Sequence, residues 1–258
     1  MPIIGAREES IVEIRTVAAG RGWDWVVEGF RIFRKQPLTW IALIVVMVVI
    51  WFASLLLPLI GPLAVNLVSP VLFAGLMLAC RTTDEDGEPE FSQLFAAFKT
   101  HASPLVTVGG IYLIGNIVAV GVIFGVGGGA ALPALLGQTG TDIETLRMAL
   151  RGLLLGMAMG MAVFVPVLMA VWFAPLLIVF HDTPPMEAMK LSFVACWRNT
   201  MPLLVYGVAI LVLGFIASIP LMLGLIVLLP VLVCSIYASY KDIFPADTAA
   251  PAQETTAA

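Results

Sequence analysis

Charge is what this chain has least of. Charged residues make up 12% of its 258 positions, hydrophobic residues 60%, and its mean hydropathy is +1.04. A soluble domain carries about a quarter of its residues as Asp, Glu, Lys and Arg, so that class is excluded. The few charges are also confined, because residues 38–80, 104–136, 152–180 and 202–240 contain none. Histidine is limited to His101 and His181, and cysteine to Cys80, Cys196 and Cys234. Thiols without paired spacing read as reduced and structural, rather than as a disulfide or metal set. Nucleophile elbow, phosphate loop and metalloprotease motifs are all missing. The chain is therefore expected to use no cofactor or metal, to bind no nucleic acid and to catalyse no reaction.

What is present is apolar length. A helix needs about 20 apolar residues to cross roughly 30 Å of hydrocarbon. Residues 38–80 would extend roughly 65 Å as one helix, so they must fold back, and Pro58, Gly61 and Pro62 mark the reversal. Residues 202–240 divide likewise near 218–220. The run 104–136 predicts one helix ending near Gly125, followed by a pliable Gly127-Gly128-Gly129 segment. The run 152–180 predicts one tilted or kinked helix carrying Pro166 and Pro175. The fold class is thus an all-α polytopic bundle with six spans, near 38–58, 62–80, 104–126, 152–176, 202–219 and 221–240.

An even number of spans puts both termini on one side. Eleven Lys and Arg lie on that side (7, 15, 21, 31, 34, 35, 81, 99, 190, 198 and 241), against Arg147 and Arg151 on the other. Positive charge stays with the cytoplasm, which predicts cytoplasmic termini in an inner membrane. Residues 1–20 are charged and lack an apolar core, so a cleavable leader is not expected and they read as a cytoplasmic tail. The segment from Pro245 to 258, rich in Ala, Thr and Pro, is expected to be disordered.

One phrase recurs three times: an amphipathic stretch, an aromatic beside a cation, a proline, then an apolar run. The copies are Phe33-Arg34…Pro37-Leu38, Phe98-Lys99…Pro104-Leu105 and Trp197-Arg198…Pro202-Leu203. Each predicts an interfacial helix (22–36, 91–101 and 184–199) ahead of a hairpin of spans. In the first, Trp23, Val26, Val27, Phe30 and Phe33 gather on one face, with Asp24, Glu28, Arg31 and Lys35 opposite. The second uses Phe91, Leu94, Phe95 and Phe98. The third uses Met186, Met189, Phe193, Cys196 and Trp197, with Asp182 or Thr183 as its cap and Glu187 and Lys190 as an exposed pair. Such helices lie in the headgroup plane, apolar side down. They either anchor the chain or form a collar that contacts membrane lipids, a membrane-protein partner or a second copy. The collar candidates are Trp23, Phe30, Arg31, Phe33, Arg34, Lys35, Phe95, Phe98, Lys99, Phe193, Trp197 and Arg198.

The opening GWDWVVEGFRIFRKQPLTW resembles an uncharacterised family of multi-pass inner-membrane proteins from proteobacteria. PPMEAMKLSFVACWRNTMPLL is distantly similar to the membrane domain found in some glycerophosphodiester phosphodiesterases. The matching positions are Pro185, Glu187-Ala188, Ser192, Trp197, Arg198 and Asn199. The resemblance spans roughly 21–244 and implies a six-helix membrane domain of bacterial origin. It implies no activity, because the soluble phosphodiesterase domain has no counterpart here.

Within the spans, polar groups are few, and no intramembrane charge marks an ion pathway. Asn116 is expected to bond a neighbouring helix. Gly152, Gly156 and Gly160 form one stripe and Gly121, Gly125 and Gly129 another, which predicts close contact between the third and fourth spans or across a dimer. The loop Asp84-Glu85-Asp86-Gly87-Glu88-Pro89-Glu90 lacks calcium-loop spacing and reads as a solvated linker. Three functions remain open: a scaffold or accessory protein, a transporter or channel for an apolar or amphiphilic solute, and a lipid-modifying enzyme. The last would need a headgroup-level cluster drawn from His181, Asp182, His101 and the acidic loop.

Overall fold

A computed structural model describes residues 13–58, 60–135 and 143–245. The chain begins its helices with α1 (Arg21–Phe33), then α2 (Pro37–Ser54) and α3 (Ile60–Asp84). A 3-10 turn (Phe91–Phe95) and the one-turn α4 (Ala96–Thr100) lead into α5 (Ala102–Leu135). There follow α6 (Ile143–Trp172), α7 (Ala174–His181), α8 (Pro185–Arg198), α9 (Thr200–Ser218) and α10 (Leu225–Ile243). Among the described residues, six stretches are long and apolar enough to cross a membrane: α2, α3, α5 through Gly127, Leu146–His181 across α6 and α7, α9 and α10. The fold is the expected all-α bundle of three hairpins.

Local chemistry explains the boundaries. Pro37 and Pro185 stand in the first turns of α2 and α8, where a missing N–H leaves no bond unmade. The last hairpin turns over residues 219–224, with Leu221 and Met222 at φ 51° and 63°. Such left-handed backbone is costly for apolar side chains and is held here by the short connection between helices. α5 departs from expectation, since it runs on through Gly127, Gly128 and Gly129 to Leu135. A partner helix that approaches backbone to backbone rewards glycine enough to offset its weak helix propensity.

The fourth span breaks at Phe173. Pro175 has no N–H, and its ring crowds the carbonyl of residue 171, so the regular ladder cannot continue. Ser192 of α8 repairs the gap: its Oγ accepts from the Phe173 N–H at 2.9 Å and donates to the Met169 carbonyl at 2.7 Å. A hydroxyl thus sits where the helix bond from residue 173 to 169 would run.

The six spans differ sharply in burial. In their most apolar windows, 61% of α10 and 50% of α3 are buried, against 11% of α9 and 17% each of α2 and α5. α3 and α10 are therefore the central posts, and the others present their sides to lipid. The largest fully buried side chains include Trp25, Trp40, Phe173, Phe244 and Met77. They draw α1, α2, α3 and α10 together with the α6–α7 break. We call this side, which carries α1 and the ends of α3, α7 and α10, the charged end. At the opposite end α5 and α6, about 51 and 45 Å long at 1.5 Å per residue, outreach a hydrocarbon layer of about 30 Å.

The stretch read as a cytoplasmic tail is docked on the bundle where it is described. Arg15 N–H donates to the Ile243 carbonyl at 2.8 Å, and Val17 N–H to Asn199 Oδ1 at 2.9 Å. Asn199 Nδ2 donates in turn to the Arg15 carbonyl at 3.0 Å. One fully buried amide thus binds residues 13–20 as a strap across the ends of α9 and α10. Residues 1–12 and 246–258, with the disorder expected of the C-terminal segment, lie outside the described residues.

Candidate functional site

The recurring phrase builds the charged end, but its three copies are not alike. α1 packs one whole side against the bundle. Its buried stripe is Gly22, Trp25, Val26, Gly29, Ile32 and Phe33. A Cβ at Gly29 would stand 2.6 Å from Ser235 N and 2.7 Å from the Val231 carbonyl, so the two backbones nearly touch. Ser235 lies eight residues before the end of α10, about 12 Å along its axis, so α1 is wedged into the bundle. Asp242 fixes it there, accepting from Trp25 Nε1 and Arg21 Nε, both at 2.8 Å. That carboxylate holds the Arg21 guanidinium above its usual pKa. Trp25 and Ile32 escaped the sequence reading. The seven-residue spacings Gly22–Gly29 and Trp25–Ile32 were the available signal.

One collar candidate moves to the interior and another is tied to α3. Phe33 is buried in the core rather than offered to lipid or a partner. Lys35 stays at the surface but is tied down, donating to the carbonyls of Thr83 (3.2 Å) and Asp84 (2.8 Å) and pairing with Asp86 at 2.7 Å. These bonds complement the C-terminal carbonyls of α3. The acidic loop is thus partly an ion-pair partner, not only a solvated linker. Arg31 pairs with Glu28 one turn away, as expected, and Arg34 is exposed.

The second copy is not one continuous helix. Glu90 and Gln93 form a capping box around the 3-10 turn, and α4 ends after five residues at Thr100. Leu94 and Ala97 are buried, while Phe91, Phe95 and Phe98 are exposed, with Lys99 beside them. Gly75 of α3 admits this turn, because a Cβ there would overlap the Leu94 carbonyl.

α8 buries Ala188, Met189, Ser192, Ala195 and Cys196, and leaves Met186 and Trp197 exposed. Phe193 is half-buried and stacks on Trp197, with ring centroids 6.3 Å apart and planes at 17°. Glu187, Lys190 and Arg198 are exposed. The expected cap is corrected: the N-cap is Pro184, with no side-chain cap. Thr183 is buried, and Asp182 closes α7 at φ 53° while its carboxylate meets His101 Nε2 at 2.8 Å.

Each expected apolar face is thus split in two. One stripe packs on the bundle, and a second points outward: Trp23, Val27 and Phe30; Phe91, Phe95 and Phe98; Met186 and Trp197. Aromatics exposed beside Arg34, Lys99 and Arg198 form a rim suited to a membrane–water boundary.

The glycine contacts are half as expected. A Cβ at Gly156 would stand 2.7 Å from the Ile123 carbonyl and 2.9 Å from Gly127 N, and one at Gly160 would overlap the Ile123 side chain. Gly152 meets Gly127 in the same seam. Gly121 and Gly125, by contrast, face open space. The α5 side of the seam is Gly115, Ala119, Ile123 and Gly127, about 200° around the helix from Gly121 and Gly125. Asn116 donates to the Tyr112 carbonyl of its own helix at 3.0 Å, and to no neighbouring helix among the described residues. Gly129 lies where side-chain surroundings are not described.

Two apolar grooves open between spans. One, of about 380 Å³, lies under the outward face of α1, lined by Trp23, Val27, Phe30, Ile216, Gly224 and Val227. The other, of about 360 Å³, separates α6 from α9 beside Met169, Trp172, Cys196, Tyr206 and Ile210. Burial raises the Cys196 thiol to about 12. Cys80 and Cys234 are buried free thiols with sulfurs 4.0 Å apart.

With this geometry in view, the chain is similar to a probable inner membrane protein of Burkholderia thailandensis, 30% identical over 255 residues, covering 90% of this chain and 94% of the relative. The chain belongs to that inner-membrane protein family. It is an integral, multi-pass membrane protein. No family model matches the sequence. No solved structure matches it either.

Proposed function

We propose that this member of the family is a non-enzymatic scaffold or accessory protein of the bacterial inner membrane, with both termini cytoplasmic. It contacts lipids, and through them a membrane-protein partner or a second copy, by the rim at its charged end. The observation that carries this reading is the division of all three apolar faces. Aromatic side chains are exposed beside cations although each segment is already anchored by a separate buried stripe. Anchoring alone would be served by the buried stripe. The charge asymmetry of the loops supports the orientation. The likeness of Pro185, Glu187, Ser192 and Asn199 to the membrane domain of some glycerophosphodiester phosphodiesterases fits a lipid-facing role. Ser192 and Asn199 serve the fold here, by the bonds described above.

The test is photocrosslinking in cells from Trp23, Phe98 and Trp197, with the triple Ser variant as comparison. Expected are defined lipid or protein adducts from all three positions, and loss of the adducts' partner on co-purification of the variant, at unchanged thermal midpoint. Random labelling, or a variant that keeps every neighbour, ends the proposal.

A second reading, transport of an apolar or amphiphilic solute, draws support from the α6–α9 groove. It is lined by Trp172, whose buried Nε1 has no hydrogen-bond partner among the described residues. A liposome flux assay over a solute panel separates the two readings, since a scaffold moves none of them.

A further inference from the structure

A fourth kind of surface lies apart from the rim and from both apolar grooves. At the charged end, the last turns of α3, α7 and α10 enclose a pocket of about 340 Å³. That is within the range of about 300–1,000 Å³ typical of small-ligand sites. Its polar lining comes from Arg81, Asp84, Glu85, His181, Tyr240 and Lys241. Its walls are aromatic: Arg81 lies 5.6 Å from the centroid of Phe180, and Lys241 lies 5.7 Å from that of Tyr237. Both faces thus already hold a cation.

The charges balance. Arg81 Nε donates to Glu85 Oε1 at 3.0 Å, and Lys241 Nζ pairs with Asp84. Each pair leaves capacity unused. A guanidinium carries five N–H donors and an ammonium three, and each carboxylate has about four acceptor positions. Arg81 and Lys241 are also about half exposed, at 54% and 46% of their side chains. A simple anion would add charge to a neutral cluster, as would a simple cation. A ligand carrying one charge of each sign enters both pairs without changing the balance.

One further group points to an absent ligand. Tyr240 is 5% exposed and lines the pocket, yet its hydroxyl has no hydrogen-bond partner among the described residues. A buried hydroxyl left unbonded is costly, and evolution tolerates it where something else supplies the bond. Its ring packs against Phe173, Phe180, His181 and Phe244.

We infer that this pocket binds a zwitterionic amino-phosphate group of the phosphoethanolamine class. Arg81, Lys241 and the Tyr240 hydroxyl take the phosphate, while Asp84 and Glu85 take the ammonium. The pocket opens at the ends of three apolar helices, the level at which a bilayer presents headgroups, so an aminophospholipid and a soluble glycerophosphoethanolamine, both phosphodiesters with one charge of each sign, are the two sources. The inference does not depend on the rim, whose residues line no part of this pocket.

The test uses the full chain in detergent, with native mass spectrometry after adding phosphatidylethanolamine or phosphatidylglycerol of equal chain length. Expected is several-fold greater retention of phosphatidylethanolamine. Tyr240→Phe, which removes only an unbonded hydroxyl, should weaken it about fivefold, the worth of one buried hydrogen bond. Lys241→Gln should weaken it further. Soluble glycerophosphoethanolamine that displaces the lipid at comparable concentration identifies the free compound as the ligand, and failure to displace it identifies the lipid. Equal retention of the two lipids overturns the inference. So does a Tyr240→Phe protein that keeps its helical circular dichroism and binds phosphatidylethanolamine as the wild type does.

Discussion

The two ends of this bundle are built by different physics. At the charged end, large side chains and polar clamps interlock, with Trp25 bonded to Asp242, Ser192 in the α6–α7 break and Asn199 on the strap. Toward the far end α5 and α6 meet backbone to backbone through Gly127, Gly156 and Gly160, and their outer faces are bare apolar side chains such as Phe124, Leu154 and Met157. A lipid solvent explains the contrast. Apolar side chains gain little by leaving lipid for protein, so helices deep in the membrane associate through close backbone approach. Where water reaches the chain, burial of aromatics regains its driving force, and ion pairs and amide bonds set register.

The sharpest way to break this comparison is a methyl group placed where two backbones meet. Gly29→Val should be the largest single effect, above about 3 kcal/mol, because Val231 and Ser235 of α10 cannot retreat. It is read as loss of monodisperse protein in detergent and a fall in thermal midpoint. Gly156→Val should cost less, about 1–3 kcal/mol, since it loosens one hairpin and not the core. Gly121→Val, on the open face of the same hairpin, should leave the midpoint unchanged. Equal effects at Gly156 and Gly121 would show that the seam has been misplaced.

Polar clamps come next. Asn199→Ala removes both bonds to the strap and should cost about 1–3 kcal/mol, with faster proteolysis near residue 15 as its signature. Ser192→Ala leaves the Phe173 N–H without its partner and should cost a similar amount, but with no gain in cleavage of the strap. Should Ser192→Ala free the strap as readily, the two clamps act as one unit.

The smallest effect concerns reactivity. With Cys80 and Cys234 replaced by Ala, Cys196 should resist alkylation at pH 8 until the bundle is unfolded. Its thiol, raised to about 12 by burial, is ionised there in only about one molecule in ten thousand. The sign follows from the direction of the shift: reactivity of the folded protein rises with pH toward 12, while unfolded chain reacts near the ordinary thiol value of about 8.5. Rapid labelling of folded protein at pH 8 would mean that the α6–α9 groove admits water.

Legibility in the sequence followed the period of each signal. Six spans and their hairpin order could be read because an uncharged run of about 20 residues has one stable fate in a bilayer. The stripe at Gly152, Gly156 and Gly160 was legible as half a seam. Its other half was not, because Ile123 interrupts the small-residue row of Gly115, Ala119 and Gly127, while Gly121 and Gly125 offer a more regular one. The collar was legible as amphipathic helices. Which side of each helix met protein and which met lipid was not, since both surroundings are apolar and a hydrophobic pattern cannot tell them apart.

Composition, charge distribution and helical periodicity alone therefore determine that the chain spans a membrane six times in three hairpins, with its aromatic and charged segments gathered at one end. Each of those properties depends on neighbours within a few turns and on the solvent. Tertiary structure decided the rest. It wedged α1 against α10, buried Phe33, tied Lys35 to the end of α3, gave Ser192 and Asn199 their bonds, and drew Arg81, Tyr240 and Lys241 to one pocket. These pairings join residues as far as 221 positions apart. No local spacing encodes them, because they exist only once the hairpins have chosen their neighbours.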